Sequence, residues 1–294
     1  MKTSKPKHQR RNKNKNSYLK SKGCSHTSNK SYTRQSADYQ KWIKIQDIEP
    51  EQATHRDLLA YVKHCQHQGN TQRTIQTKLG SISHYYDHLR EQEQIITNPV
   101  KGIELRGVKR NTLHPTLEPH QLHQLYQNYQ AITRNQKRNR VALGLVVYQG
   151  LKTAELIRLA VQDLHIRAGE MTVQGSRKGN ERKLKLESHQ IFDLYDYLQK
   201  IRPALIQRDS QRLFVVRRFA VITRAELPQV RKINPQVKNL QQLRASVITK
   251  WLKRYNLREV QYRAGHRYVS STEKYKQNDL EGLQEEINRF HPLG

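Results

Sequence analysis

Apolar side chains recur at three-to-four-residue spacing through most of this chain, and the breaks between those stretches fall at Gly, Asn and Pro. Thr54 precedes a segment with Leu58, Leu59, Val62 and Cys65 on one face, stopped by Gly69-Asn70. Thr71 opens a second, with Ile75, Leu79, Ile82, Tyr86 and Leu89 on one face, and Asn98-Pro99 closes the turn beyond it. Both read as amphipathic helices behind N-capping threonines. The pattern then lapses: Lys109 to Leu117 is basic, turn-rich and poor in side chains to bury, as a linker is. Glu118-Pro119 starts a new helix with Pro in its first turn and Leu122, Leu125, Tyr126 and Tyr129 facing inward. A strongly apolar helix covers Val141 to Tyr148. Short alternating segments follow at Leu164 to Arg167, Glu170 to Val173 and Arg182 to Leu186, joined by turns at Ala168-Gly169 and Gly175 to Asn180. Ser188 is expected to cap a helix with Ile191, Leu194 and Leu198. The stretch from Leu213 to Arg231, an apolar run with a Pro, takes no firm assignment.

Helical spacing resumes with Leu243, Val247, Ile248 and Leu252, breaks at Asn256, and continues through Leu257 and Val260 to Gly265-His266. Ser270-Ser271-Thr272 is a cap signal, which places Tyr275 on a short helix. Leu280, Leu283, Ile287 and Phe290 give the C-terminal segment an apolar stripe. The expected fold is mainly α with a small antiparallel β-sheet. Its parts are a basic arm (1–32), a helical domain (33–108), a linker (109–117) and an α+β domain with a C-terminal helix (118–294).

Charge narrows the partner. The formal net charge is +29 and only 35% of the 294 residues are hydrophobic. Such an excess repels itself unless a polyanion neutralises it, so the expected partner is nucleic acid rather than a membrane. Residues 1–32 hold ten Lys or Arg, and the first acidic residue is Asp38. With almost nothing apolar to bury, this arm is expected to be disordered when free and to track phosphates when bound. No run approaches the length of a membrane span, and no apolar segment follows the basic N-terminus. Cys24 and Cys65 are the only cysteines, too few for a disulfide framework or a metal site, which fits a reducing, intracellular setting.

One ordered set carries chemistry: Leu243-Arg244, then Gly265-His266, then Tyr275 nine residues after the histidine. An arginine, a histidine and a tyrosine on a small element together supply an anion clamp, a proton handler and a nucleophile. This set resembles the C-terminal signature of the tyrosine recombinases, the phage-integrase family, with Ala264 where that signature has Leu. The resemblance runs from about Tyr39 to the end, and the first helical domain is similar to the family's SAM-like core-binding domain. It implies a catalytic Lys in the turn between two strands, which Lys178 of Lys178-Gly179-Asn180 supplies. Arg177 beside it is too basic to donate a proton readily.

Two positions depart from the family. Lys152, in Gly150-Leu151-Lys152-Thr153-Ala154-Glu155-Leu156, stands where the family has an Arg, and Gln241 stands where it has a His. Lysine keeps the charge but loses the planar fork, and glutamine is no general base near neutral pH. The resemblance implies an enzyme that cuts and rejoins double-stranded DNA. Tyr275 would attack a phosphate to leave a 3′-phosphotyrosine, with no cofactor, neither ATP nor metal. Arg244 and Lys152 would stabilise the non-bridging oxygens, Gln241 and His266 would hydrogen-bond, and Lys178 would protonate the leaving oxygen. It also implies a homo-oligomer, dimer or tetramer, on the DNA of a mobile element, in the nucleoid-containing cytoplasm. A second reading stays open: a DNA clamp with weakened or lost catalysis, acting as accessory factor or repressor. A generic RNA-binding protein would explain the charge but not the ordered motifs.

Overall fold

A computed structural model of the chain describes residues 17–108, 115–177, 179–206, 209–215 and 227–276. The chain divides into two compact units, residues 1–111 and 112–294, each with its own core.

The described residues of the first unit form α1 (residues 17–21), α2 (His26–Ile45), α3 (His55–His67) and α4 (Gln72–Glu91). Ser25, Thr54 and Thr71 cap the last three, each side-chain oxygen accepting the N–H three residues on. Such a cap contributes about 1 kcal/mol. The predicted faces of α3 and α4 are buried together, except that Leu59 turns outward at 42% exposure and Tyr61 takes its place. α2 runs along α4, and two buried serines allow the close approach: Ser36 Oγ donates to the Ser81 carbonyl at 3.2 Å. Beside them the Tyr39 and Tyr86 hydroxyls share a buried hydrogen bond of 2.7 Å. Asn98 is buried too, donating to Ser83 and Asp87 from α4.

The basic arm departs from expectation. Instead of staying disordered through residue 32, the chain is helical from residue 17, Leu19 is fully buried, and α2 begins at His26. Tyr18 and Leu19 bury enough apolar surface to anchor a segment otherwise rich in lysine, and Lys22 pairs with Glu91 at 2.7 Å. Residues 1–16 lie outside the described residues.

The second unit contains α5 (Pro119–Gln127), α6 (Arg134–Val147), α7 (Thr153–Arg158), β1 (Leu164–His165), β2 (Glu170–Val173) and β3 (Arg182–Lys185). After them come α8 (Ser188–Asp196), a π turn (Tyr197–Ile201) and α9 (Arg202–Leu205). The described residues end with α10 (Leu227–Ile233), α11 (Leu240–Leu252), α12 (Leu257–Ala264) and α13 (residues 270–276). α6 and α11 form the centre: Val141 to Val147 and Leu243 to Ile248 are buried without a break, Arg244 and Ser246 being the polar side chains among them. Helices apolar all round belong inside a core.

The strands form one antiparallel sheet in the order β1-β2-β3, with Met171 opposite both Leu164 and Leu184. β1 is shorter than the alternation suggested, because a 3₁₀ turn (Ile166–Ala168) takes over. Glu187, not Ser188, caps α8: its backbone N–H donates to the Gln190 side chain at 3.0 Å, and Ser188 is already helical. Of the unassigned stretch, residues 227–231 belong to α10 and residues 216–226 lie outside the described residues, as does the apolar stripe from Leu280 to Phe290.

Candidate active site

Two helix ends closed by glycine shape the floor of the site. α6 closes at Gly150 (φ 60°) and α12 at Gly265 (φ 62°), left-handed conformations that side chains other than glycine adopt at a cost. Space is short as well. A Cβ at Gly150 would stand 3.3 Å from Val247 Cγ1, and one at Gly265 only 2.8 Å from Arg182 Cζ. The two turns leave backbone carbonyls beside the second turn of α11, where Arg244 uses them. Its guanidinium donates to the Gly150 carbonyl and, at 2.6 Å, to the Ala264 carbonyl. It is buried, and its second nitrogen also lies 3.2 Å from His266 Nε2.

That contact fixes the histidine tautomer. A guanidinium only donates, so Nε2 accepts and the ring proton sits on Nδ1. Nδ1 lies 2.9 Å from Thr272 Oγ1, which accepts it, and Thr272 is fully buried at the start of α13. Burial first, then the charges of Arg244, Lys152 and Arg182, push the His266 pKa down to about 3, so the ring is neutral at pH 7. One helical turn beyond Thr272, the half-buried Tyr275 stacks on His266, with ring centroids 5.7 Å apart and planes within 12°. Its hydroxyl is near enough to Arg244 to favour the guanidinium charge.

Glu155 sits beneath these groups. Its carboxylate takes a bidentate pair of 3.0 Å hydrogen bonds from Arg182 and one of 2.8 Å from the Lys152 backbone N–H, with Arg244 Nη1 at 3.9 Å. Burial works against the carboxylate, but the hydrogen bonds and charge of Arg182, then the charge of Arg244, hold its pKa below the usual range. Lys152 is the N-cap of α7 and lies next to the β2–β3 turn: a Cβ at Gly179 would be 3.8 Å from its Nζ. Among the described residues no carboxylate pairs with that ammonium. Burial, then the charge of Arg244, lowers its pKa to about 8, Glu155 pulling the other way. Three cations, Lys152, Arg182 and Arg244, therefore face one carboxylate, an imbalance that an entering anion would relieve.

The β2–β3 turn closes over this floor. Gly179 pairs with both Ser176 and His266, and Asn180 N–H donates to the Gly265 carbonyl at 3.3 Å. Lys178 itself lies outside the described residues. The structure thus brings together four of the residues singled out in the sequence: Lys152, Arg244, His266 and Tyr275. Gln241 is on the first turn of α11, exposed, one turn before Arg244, and its side chain has no hydrogen-bond partner among the described residues. Its neighbour Gln242 is the buried one, accepting from Lys238 N–H at 2.7 Å and donating to the Pro115 carbonyl at 2.8 Å. The sequence reading passed over Glu155, Arg182 and Thr272. Glu155 stood within the quoted Gly150–Leu156 segment and Thr272 within the cap signal. Arg182 carried no signal beyond its place at an inward position of a strand.

Comparison with known proteins finds matches for both units. Residues 115–281 match the phage integrase family, and residues 13–96 match the phage integrase N-terminal SAM-like domain. The tyrosine recombinase XerC of Vibrio vulnificus (strain YJ016) is 30% identical over 238 residues, covering 76% of this chain and 72% of that protein. The Tn1549 transposon integrase in complex with circular intermediate DNA has a similar fold. Its TM-score is 0.67 at 15% identity, over 90% of this chain and 94% of that one. A lambda integrase dimer bound to a COC′ core site gives 0.66 at 16% identity, over 92% of this chain and 77% of that one. Among the described residues no helix is long and apolar enough to cross a membrane.

Proposed function

The chain belongs to the phage integrase family of tyrosine recombinases, and from that premise we propose that it cuts and rejoins double-stranded DNA at a specific site through a 3′-phosphotyrosine intermediate, serving a mobile element. The observation that carries the proposal is the stacking of Tyr275 on His266 beside the buried Arg244, in a site with more cations than carboxylates. The Tyr275 oxygen, its phenolic proton given up to water, bonds to the scissile phosphorus while the bond from phosphorus to the 5′ oxygen breaks. Arg244 and Lys152 stabilise the charge that builds on the non-bridging oxygens. His266, neutral and fixed by Thr272, and Gln241 at the rim serve as hydrogen-bond partners. Lys178 gives the leaving oxygen its proton and recovers it when the 5′-hydroxyl attacks the phosphotyrosine on rejoining. The covalent link conserves the bond energy. A basic arm, a helical core-binding domain and the catalytic domain from about Glu118 each bind the duplex. The assembly is a homo-oligomer on DNA, dimer or tetramer, in the cytoplasm at the nucleoid; the dimeric lambda integrase complex is the precedent.

A second reading, a DNA clamp without efficient chemistry, draws on Lys152 alone, a point cation with a lowered pKa in place of a guanidinium. A nicked suicide substrate carrying the native site separates the two. The recombinase reading expects a covalent protein–DNA adduct that Tyr275→Phe abolishes at unchanged DNA affinity. Absence of adduct from both the wild type and Lys152→Arg leaves the clamp.

A further inference from the structure

Arg182 is among the largest fully buried side chains in the protein, yet it is a cation and does not face the open side of the site. Its side chain is 1% exposed, and three of its nitrogens have defined partners. Nη1 and Nη2 each donate to one Glu155 oxygen at 3.0 Å, and Nε donates to the Arg263 carbonyl at 2.8 Å. The guanidinium also fills the space against Gly265, where a Cβ would collide with it. One side chain from β3 therefore meets the two segments that carry the chemistry. Through Glu155 it reaches the backbone of Lys152 and faces Arg244; through Arg263 and Gly265 it abuts the turn that presents His266.

We propose that Arg182 is a positioning residue of this site, setting Lys152, Arg244 and His266 relative to one another without touching DNA. The inference rests on the reading of the site as a phosphoryl-transfer centre. The fork is the reason arginine is present. A lysine would keep the charge but could not grip both Glu155 oxygens in one plane while holding the Arg263 carbonyl. Glu155 would then be free to rotate, and the N-cap of α7 would drift with it. Displacement of a catalytic group by about 1 Å lowers a rate by about a hundredfold.

Two variants test this, Arg182→Lys and Arg182→Gln, each checked for folding by circular dichroism. Arg182→Lys is expected to cleave the suicide substrate about a hundredfold more slowly at saturating DNA, with DNA affinity unchanged. Arg182→Gln is expected to do the same and also to raise the pH at which Lys152 titrates, followed by NMR of the lysine Nζ and assigned through Lys152→Arg. The charged groups acting on Lys152 are Arg244 on α11, Glu155 and Arg158 on α7, and Arg182 on β3, and Lys152 in turn acts on the neutral His266 after α12. Losing Arg182 removes one repulsion and frees Glu155 to attract, so the shift is upward. Wild-type cleavage by either folded variant overturns the proposal. If neither variant folds, Arg182→Leu with Glu155→Leu replaces the whole buried pair by apolar side chains, a change that folds often tolerate. That double variant, folded and uncleaving, supports the proposal; folded and cleaving at the wild-type rate, it refutes it. Should the wild type itself form no adduct, the functional reading falls separately, and the NMR arm decides. Lys152 and His266 resonances unmoved by Arg182→Gln then overturn the positioning role.

Discussion

Lys152→Arg is the substitution whose outcome the site geometry specifies most fully. In the free protein the Lys152 ammonium is half-buried among cations and its pKa is lowered to about 8. At pH 7 about nine tenths of the lysine is charged, and at pH 9 only about one tenth, so a rate that needs the charge falls about tenfold across that interval. An arginine at the same position stays charged throughout and offers two parallel donors to a phosphate. The added charge-assisted contact contributes about 1.5–3 kcal/mol, one to two decades in rate. The expected result is a wild-type profile that declines above pH 8 and a Lys152→Arg profile that is higher and flat. The assay is single-turnover cleavage of the suicide substrate at limiting DNA, which reports the free enzyme, where no phosphate has yet raised the lysine pKa. A wild-type profile that stays flat above pH 8 refutes the reasoning, and so does a decline that persists in Lys152→Arg.

Three further outcomes are expected. Glu155→Leu strands the buried Arg182 charge, costing about 3–5 kcal/mol and lowering the melting temperature by roughly 6–20 °C; a melt within a degree or two of wild type contradicts the pairing. Thr272→Val leaves His266 Nδ1–H without its acceptor, a loss of about 1–3 kcal/mol by denaturant titration. DNA binding through about six phosphates gives a slope of log K against log salt near −5, and a slope near zero in fluorescence anisotropy would remove nucleic acid as the partner.

Most helices could be read from the chain because their signals are local. Thr54 and Thr71 cap where expected, and the inner faces of α3 and α4 follow the apolar spacing. Local signals also produced the errors. Ser188 looked like a cap because its side chain suits one, but Glu187 adopts the extended backbone and Gln190 supplies the reciprocal bond. In the arm, the lysines outweighed Tyr18 and Leu19 in composition, although two buried side chains suffice to order a turn. Within the site, Arg244, His266 and Tyr275 were legible from their order and spacing. Arg182 and Glu155 were not, because their meaning lies in a pairing across 27 residues that no single segment encodes. Alternation did place Arg182 on the same inward face as Leu184, but an inward arginine means little until its carboxylate is found.

The Thr272 hydroxyl has one more consequence. A carboxylate or a carbonyl in its place could only accept and would lock the ring proton of His266 on Nδ1. A hydroxyl can accept or donate by turning about its own bond. Were the oxygen of an anion to displace the Arg244 contact at Nε2, the tautomer with its proton on Nε2 could hydrogen-bond to that oxygen, the exchange between the two nitrogens passing through water. Thr272 then rotates to donate to the vacated Nδ1 lone pair. The ring changes from acceptor to donor while remaining neutral, with both nitrogens satisfied in either state. The histidine can therefore present an acceptor or a donor at Nε2 with no net change in its charge.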